Sequence, residues 1–67
     1  MTISDFNLLT IAERSDVLKT EGKHLFTHLE KDLNSVFYAL DDFGAEMWIS
    51  NDSGEIIDVQ PIRKMAA

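Results

Sequence analysis

Apolar and polar positions alternate most regularly over residues 43–50. Taken as an extended strand, Phe43, Ala45, Met47 and Ile49 point one way, while Gly44, Glu46, Trp48 and Ser50 point the other. Residues 35–40 are rich in β-branched and aromatic types and read as a second strand, with Val36, Tyr38 and Leu40 on one side and Phe37 and Ala39 on the other. Asp41-Asp42 forms a tight connection between the two. Asn51-Asp52-Ser53-Gly54 has the chemistry of a turn and leads into a last strand over 55–62. Pro61 cannot donate to a ladder, so that strand is an edge or is ending there.

Upstream of these strands the period lengthens. Thr10 and Glu13 fit a capping box, with Leu9 placed as its hydrophobic staple, and a helix is expected from Ile11 to about Glu21. Gly22 supplies the left-handed residue that commonly follows a helix. Ile11, Val17 and Leu18 fall on one side of this helix, in a weak stripe interrupted by Arg14 and Glu21. Arg14 is expected to lay its stem along the core edge with its guanidinium in water, the sharper alternative being a bound anion or a partner's carboxylate. Residues 1–9 form a helical turn or an arm that pins Phe6 into the core.

Residues 23–31 satisfy both periods. As a strand, Leu25, Thr27 and Leu29 share a face opposite His24, Phe26 and His28; as a helix, Leu25, Phe26, Leu29 and Leu33 line up. Gly22 before the segment and strands after it favour the strand. Asp32-Leu33-Asn34-Ser35 carries turn chemistry. The expected fold is α+β, an N-terminal helix packed on one face of a three- to four-stranded antiparallel meander. Residues 1–62 make one domain and 63–67 a frayed tail.

Counting faces exposes a shortage. The helix can cover Val36, Tyr38, Leu40, Phe43, Ala45, Met47, Ile49, Ile57 and Val59, but its length of about 15 Å cannot also cover the opposite side. That outer face carries Phe37, Ala39, Trp48, Ile56 and Ile62 among Glu46, Asp58 and Gln60. Apolar content of this size exceeds what scattered surface residues explain. Either the N-terminal arm or the tail folds over it, or a protein partner does. Among partners a second copy ranks first, since symmetric pairs are the commonest assembly. The interface residues expected on this reading are Phe37, Glu46, Trp48, Ile56 and Asp58.

Composition narrows the choice. A chain of 67 residues buries only about 60% of its unfolded surface. It has no cysteine for disulfides or for the common structural zinc sites, which leaves self-association as the simplest stabiliser. A net charge of −6 argues against nucleic acid or an anionic membrane as the main ligand. Asp41, Asp42, Glu46, Asp52, Glu55 and Asp58 occur between 41 and 60 without a single Lys or Arg. Such a rim steers a basic partner, or simply keeps an edge hairpin from aggregating. No apolar run nears the roughly 18 residues that span a bilayer, and no signal peptide opens the chain, so a cytoplasmic location is the default expectation.

Catalytic patterns are weak. His24 and His28 would share a helix face near Glu30 and could hold a metal there, but on a strand they stand roughly 13 Å apart. No Ser sits on a strand-to-helix elbow. Asp41-Asp42 lies in a solvated turn, a poor setting for paired acid–base chemistry. Gly22, Gly44 and Gly54 are isolated and build no phosphate loop. Neither an enzyme nor a cofactor is expected.

Phe6, Leu9, Glu13-Arg14, Leu18, Gly22, the run Val36-Phe37-Tyr38-Ala39-Leu40-Asp41-Asp42-Phe43 and Ala45-Glu46-Met47-Trp48 together resemble a family of small bacterial proteins of unknown function. Its pattern is a helix, a Gly, a strand and a hairpin of Leu-Tyr-x-Leu-Asp-x-Phe-Tyr-Val-Glu type. The likeness covers about residues 6–60 and departs from the pattern at Gly44, where the family has an aromatic. It implies the fold and no activity. The expectation is therefore a non-enzymatic interaction module, self-associating through the outer sheet face. The alternatives are an acidic inhibitor of mobile-element or phage type that occupies a basic site on a host protein, and a metal or small-ligand binder using His24 and His28.

Overall fold

The computed structural model describes residues 1–62, so the expected tail lies outside the described residues. Two helices precede four strands: α1 (Ile3–Asn7), α2 (Ile11–Glu21), β1 (Lys23–Leu29), β2 (Leu33–Ala39), β3 (Gly44–Ser50) and β4 (Ile56–Ile62). Thr2 caps α1 by accepting from the Asp5 amide at 3.1 Å. At α2 both halves of the capping box form: the Glu13 amide donates to Thr10 Oγ1 at 3.1 Å, and the Thr10 amide to Glu13 Oε1 at 2.9 Å. The sheet is an antiparallel meander in the order β1-β2-β3-β4, which settles residues 23–29 as a strand.

The core is Phe6 and Leu18 from the helices against Val36, Phe43, Ala45, Met47 and Val59. Phe6 meets Phe43 edge to face at 5.5 Å. Val17 packs at the margin of this cluster, but Ile11 is exposed, because Arg14 takes the position the stripe would have filled. Arg14 is a clamp rather than a solvated side chain. Its Nε donates to the Phe6 carbonyl at 3.2 Å, and its two terminal nitrogens donate to the carbonyls of Asn7 at 3.0 Å and Val59 at 2.7 Å. The guanidinium also sits 5.6 Å from the Phe6 ring centre. One planar fork thus satisfies the carbonyl end of α1 and ties both helices to β4.

Three local expectations change. Gly22 is extended, at φ −79 and ψ 149; a Cβ there would stand 2.6 Å from the Leu18 carbonyl oxygen. Close approach to the end of α2, and not left-handed backbone, demands the glycine. We expect Gly22→Ala to destabilise the fold by about 1–3 kcal/mol, read from urea unfolding, because backbone must shift to make room. The left-handed position is Gly54, at φ 75 in the β3–β4 turn. Leu33, Asn34 and Ser35 are not a turn; they pair with Ser50, Ile49 and Trp48. The bend falls earlier, where Asn51 Nδ2 donates to the carbonyls of Glu30 and Lys31 at 2.8 and 3.2 Å and its amide donates to Asp32 at 3.1 Å.

Third, β4 carries a bulge. Met47 pairs with Val59 and Trp48 with Asp58, but Ile49 pairs with Ile56. Ile57 is the extra residue, and it is 52% exposed. Side-chain parity reverses across a bulge. Ile56 therefore packs against the core, and the two isoleucines exchange the faces that simple alternation gives them.

Candidate protein interface

Both helices make their main sheet contacts with β4, on the face of Val36, Ala45, Met47 and Val59. The N-terminal arm, one of the two covers considered for the outer face, is thus on the inner side. The molecule is a slab with Cα extents of 32 × 28 × 17 Å. Its other broad face is built from the cross-strand rows Phe26–Phe37–Glu46–Gln60 and His28–Ser35–Trp48–Asp58. Phe37, Glu46, Trp48 and Asp58 stand together as expected, in adjacent rows of one face. Ile56 leaves the set, since the bulge turns it inward.

Phe26 joins it. Its ring stacks on Phe37 with centroids 4.4 Å apart and planes 20° from parallel, yet it remains 50% exposed. Phe37 and Trp48 are half-buried. The face thus carries three aromatics, of which Phe26 and Phe37 form a stacked pair. Phe26 was legible as a strand residue, but its stack across to β2 depends on the register of β1.

Charge is divided across the sheet. Among the described residues, β1 carries Lys23, His24 and His28 and no acid, while Glu46 and Asp58 stand on β3 and β4. Asp58 is held in place: it accepts from the Val59 amide and from Gln60 Nε2, each at 2.8 Å. Glu46 is half-buried between Phe37 and Gln60, and its side chain makes no ion pair or hydrogen bond to a described residue.

The two histidines do not converge. A second bulge, between His24 and Phe26, puts His24 on the inner side against Tyr38, with ring centroids 5.8 Å apart and its Nε2 3.0 Å from Thr27 Oγ1. His28 is on the outer side, 3.3 Å from Glu30 Oε1. Among the described residues no group of three or more His, Cys, Asp or Glu is placed to hold a metal ion. A half-open cleft of about 350 Å³ lies between α1 and the β2–β3 turn, lined by Thr2, Ile3, Asp42 and Phe43. Its polar lining is the Asp42 carboxylate and the Thr2 hydroxyl, which caps α1 by accepting from the Asp5 amide. Among the described residues no helix is long and apolar enough to cross a membrane.

The two sheet edges differ. On β4, the Val59 amide is occupied by Asp58, its carbonyl by Arg14, and Pro61 has no N–H. On β1 all seven residues are exposed, Leu29 at 74%. The Glu30 amide bonds the Leu33 carbonyl at 3.1 Å, so by alternation the amides of Thr27 and Leu29 face outward.

Comparison of the chain with protein-family models, with curated proteins and with solved structures returned no match.

Proposed function

We propose that this chain is a non-enzymatic protein–protein interaction module that self-associates through its outer sheet face. The observation that carries the reading is the placement of both helices: they roof the side bearing Met47 and Val59, while Phe26, Phe37 and Trp48 collect on the side that, among the described residues, has no helix. An aromatic cluster ringed by polar side chains is the usual anatomy of a binding surface. Trp48, between Ser35 and Asp58, is its anchor. Sedimentation equilibrium of the full chain tests this. Trp48→Ala should weaken self-association by about 2 kcal/mol, roughly 30-fold in the dissociation constant, with an unchanged circular-dichroism spectrum. A variant that assembles as the wild type does would remove the outer face from consideration.

The run of acids between 41 and 60 favours a second reading, an acidic inhibitor that occupies a basic site on another protein. On that reading the chain stays monomeric at all concentrations, with Trp48 fluorescence at the wavelength of a solvated indole.

A further inference from the structure

We infer that the self-association proposed above takes one particular geometry: two copies stack outer face to outer face about a two-fold axis running along the strands, so that β1 of each lies over β4 of the other. This rests on the self-association reading and adds orientation and residue pairing to it.

Two aligned sheets can be related in two ways. An axis across the strands sets β1 on β1 and β4 on β4 and inverts the order of the rows, so that with the row of Glu46 laid on itself each Glu46 confronts its own equivalent. Charges of one sign in juxtaposition cost several kcal/mol. An axis along the strands reverses the strand order and keeps each cross-strand row at its own level. In the row His28–Ser35–Trp48–Asp58, His28 then faces Asp58 of the second copy, and Trp48 lies over the small Ser35. Lys23 belongs to the row Lys23–Ala39–Gly44–Ile62, two rows from that of His28; it comes diagonal to Glu46 of the second copy, one strand and one row off, within reach of a four-carbon stem across sheets about 10 Å apart. Neither the Lys23 nor the Glu46 side chain makes an ion pair or hydrogen bond to a described residue, so each is available to the other.

Area is consistent with a reversible pair. Four strands of seven residues, at about 4.8 Å between strands and about 3.3 Å per residue, give a face of roughly 19 Å by 23 Å. Two such faces bury about 900 Å², below the range of stable specific interfaces and in that of weak, transient pairs.

Charge exchange tests the orientation in sedimentation experiments on the full chain. Lys23→Glu and Glu46→Lys should each weaken the dimer by about 10-fold or more, and the double variant should return to within about threefold of wild type. Because the chain has no cysteine, a second measurement is available. His28→Cys mixed with Asp58→Cys should give a mixed disulfide on oxidation, in preference to either homodimer. A double variant as weak as the worse single one, or His28→Cys cross-linking mainly to itself, overturns the orientation while dimerisation that still depends on Trp48 leaves the functional reading standing. A wild-type chain that is monomeric throughout overturns both.

Discussion

Phe6→Ala should leave most of the chain unfolded at room temperature. Phe6 is fully buried and is the larger of the two core residues that the helices contribute, the other being Leu18. Truncating a buried phenylalanine costs about 3–5 kcal/mol, through lost transfer energy and the cavity left behind. A 67-residue chain has a total stability on the order of 3–10 kcal/mol, so the loss is comparable with the whole. The site cannot relax easily, because Phe6 is held from several sides. Its carbonyl accepts from Arg14, its ring meets Phe43 edge to face, and α1 has only five residues with which to shift. Circular dichroism and urea titration read the outcome directly. A variant with a native midpoint would mean that α1 contributes little to the fold.

Arg14→Ala is expected to cost about 3 kcal/mol, equivalent to a fall of roughly 20 °C in Tm for a domain this small. The charged fork serves three carbonyls, and its removal leaves the partly buried Val59 oxygen unpaired. Arg14→Lys separates charge from geometry. An ammonium keeps the positive charge but cannot reach three divergent carbonyls from one plane, so lysine should recover less than half of the loss. Full rescue by lysine would show that charge alone matters at this position.

Much of the fold was legible because local signals agreed with one another. The Thr10–Glu13 capping box, the alternation through β3 and the turn ending at Gly54 each specify a structure within a few residues. The ambiguity of 23–31 was settled by pairing, since β1 gains its ladder only from β2. What alternation could not show is where a strand slips. Ile56 and Ile57 are chemically equivalent, and only the pairing with β3 decides which faces inward. The same holds for His24, which the bulge in β1 moves away from the side shared by Phe26 and His28. Arg14 was misread for a different reason: its partners are main-chain carbonyls 8 and 45 residues away, and a sequence carries no mark of an unpaired carbonyl. Phe37, Glu46, Trp48 and Asp58 share the face that alternation gives them because they lie in stretches of β2, β3 and β4 where the parity is undisturbed.

The unequal edges bear on how large an assembly this molecule can build. Endless ribbons require head-to-tail growth, each newcomer's open flank docking on the blocked flank of the last. Here Arg14, Asp58 and Pro61 have already used or removed the hydrogen-bonding groups such growth would need at Val59 and Pro61. The β4 flank of this open sheet is thereby closed to strand addition at Val59 and Pro61, and head-to-tail growth of the sheet is blocked there.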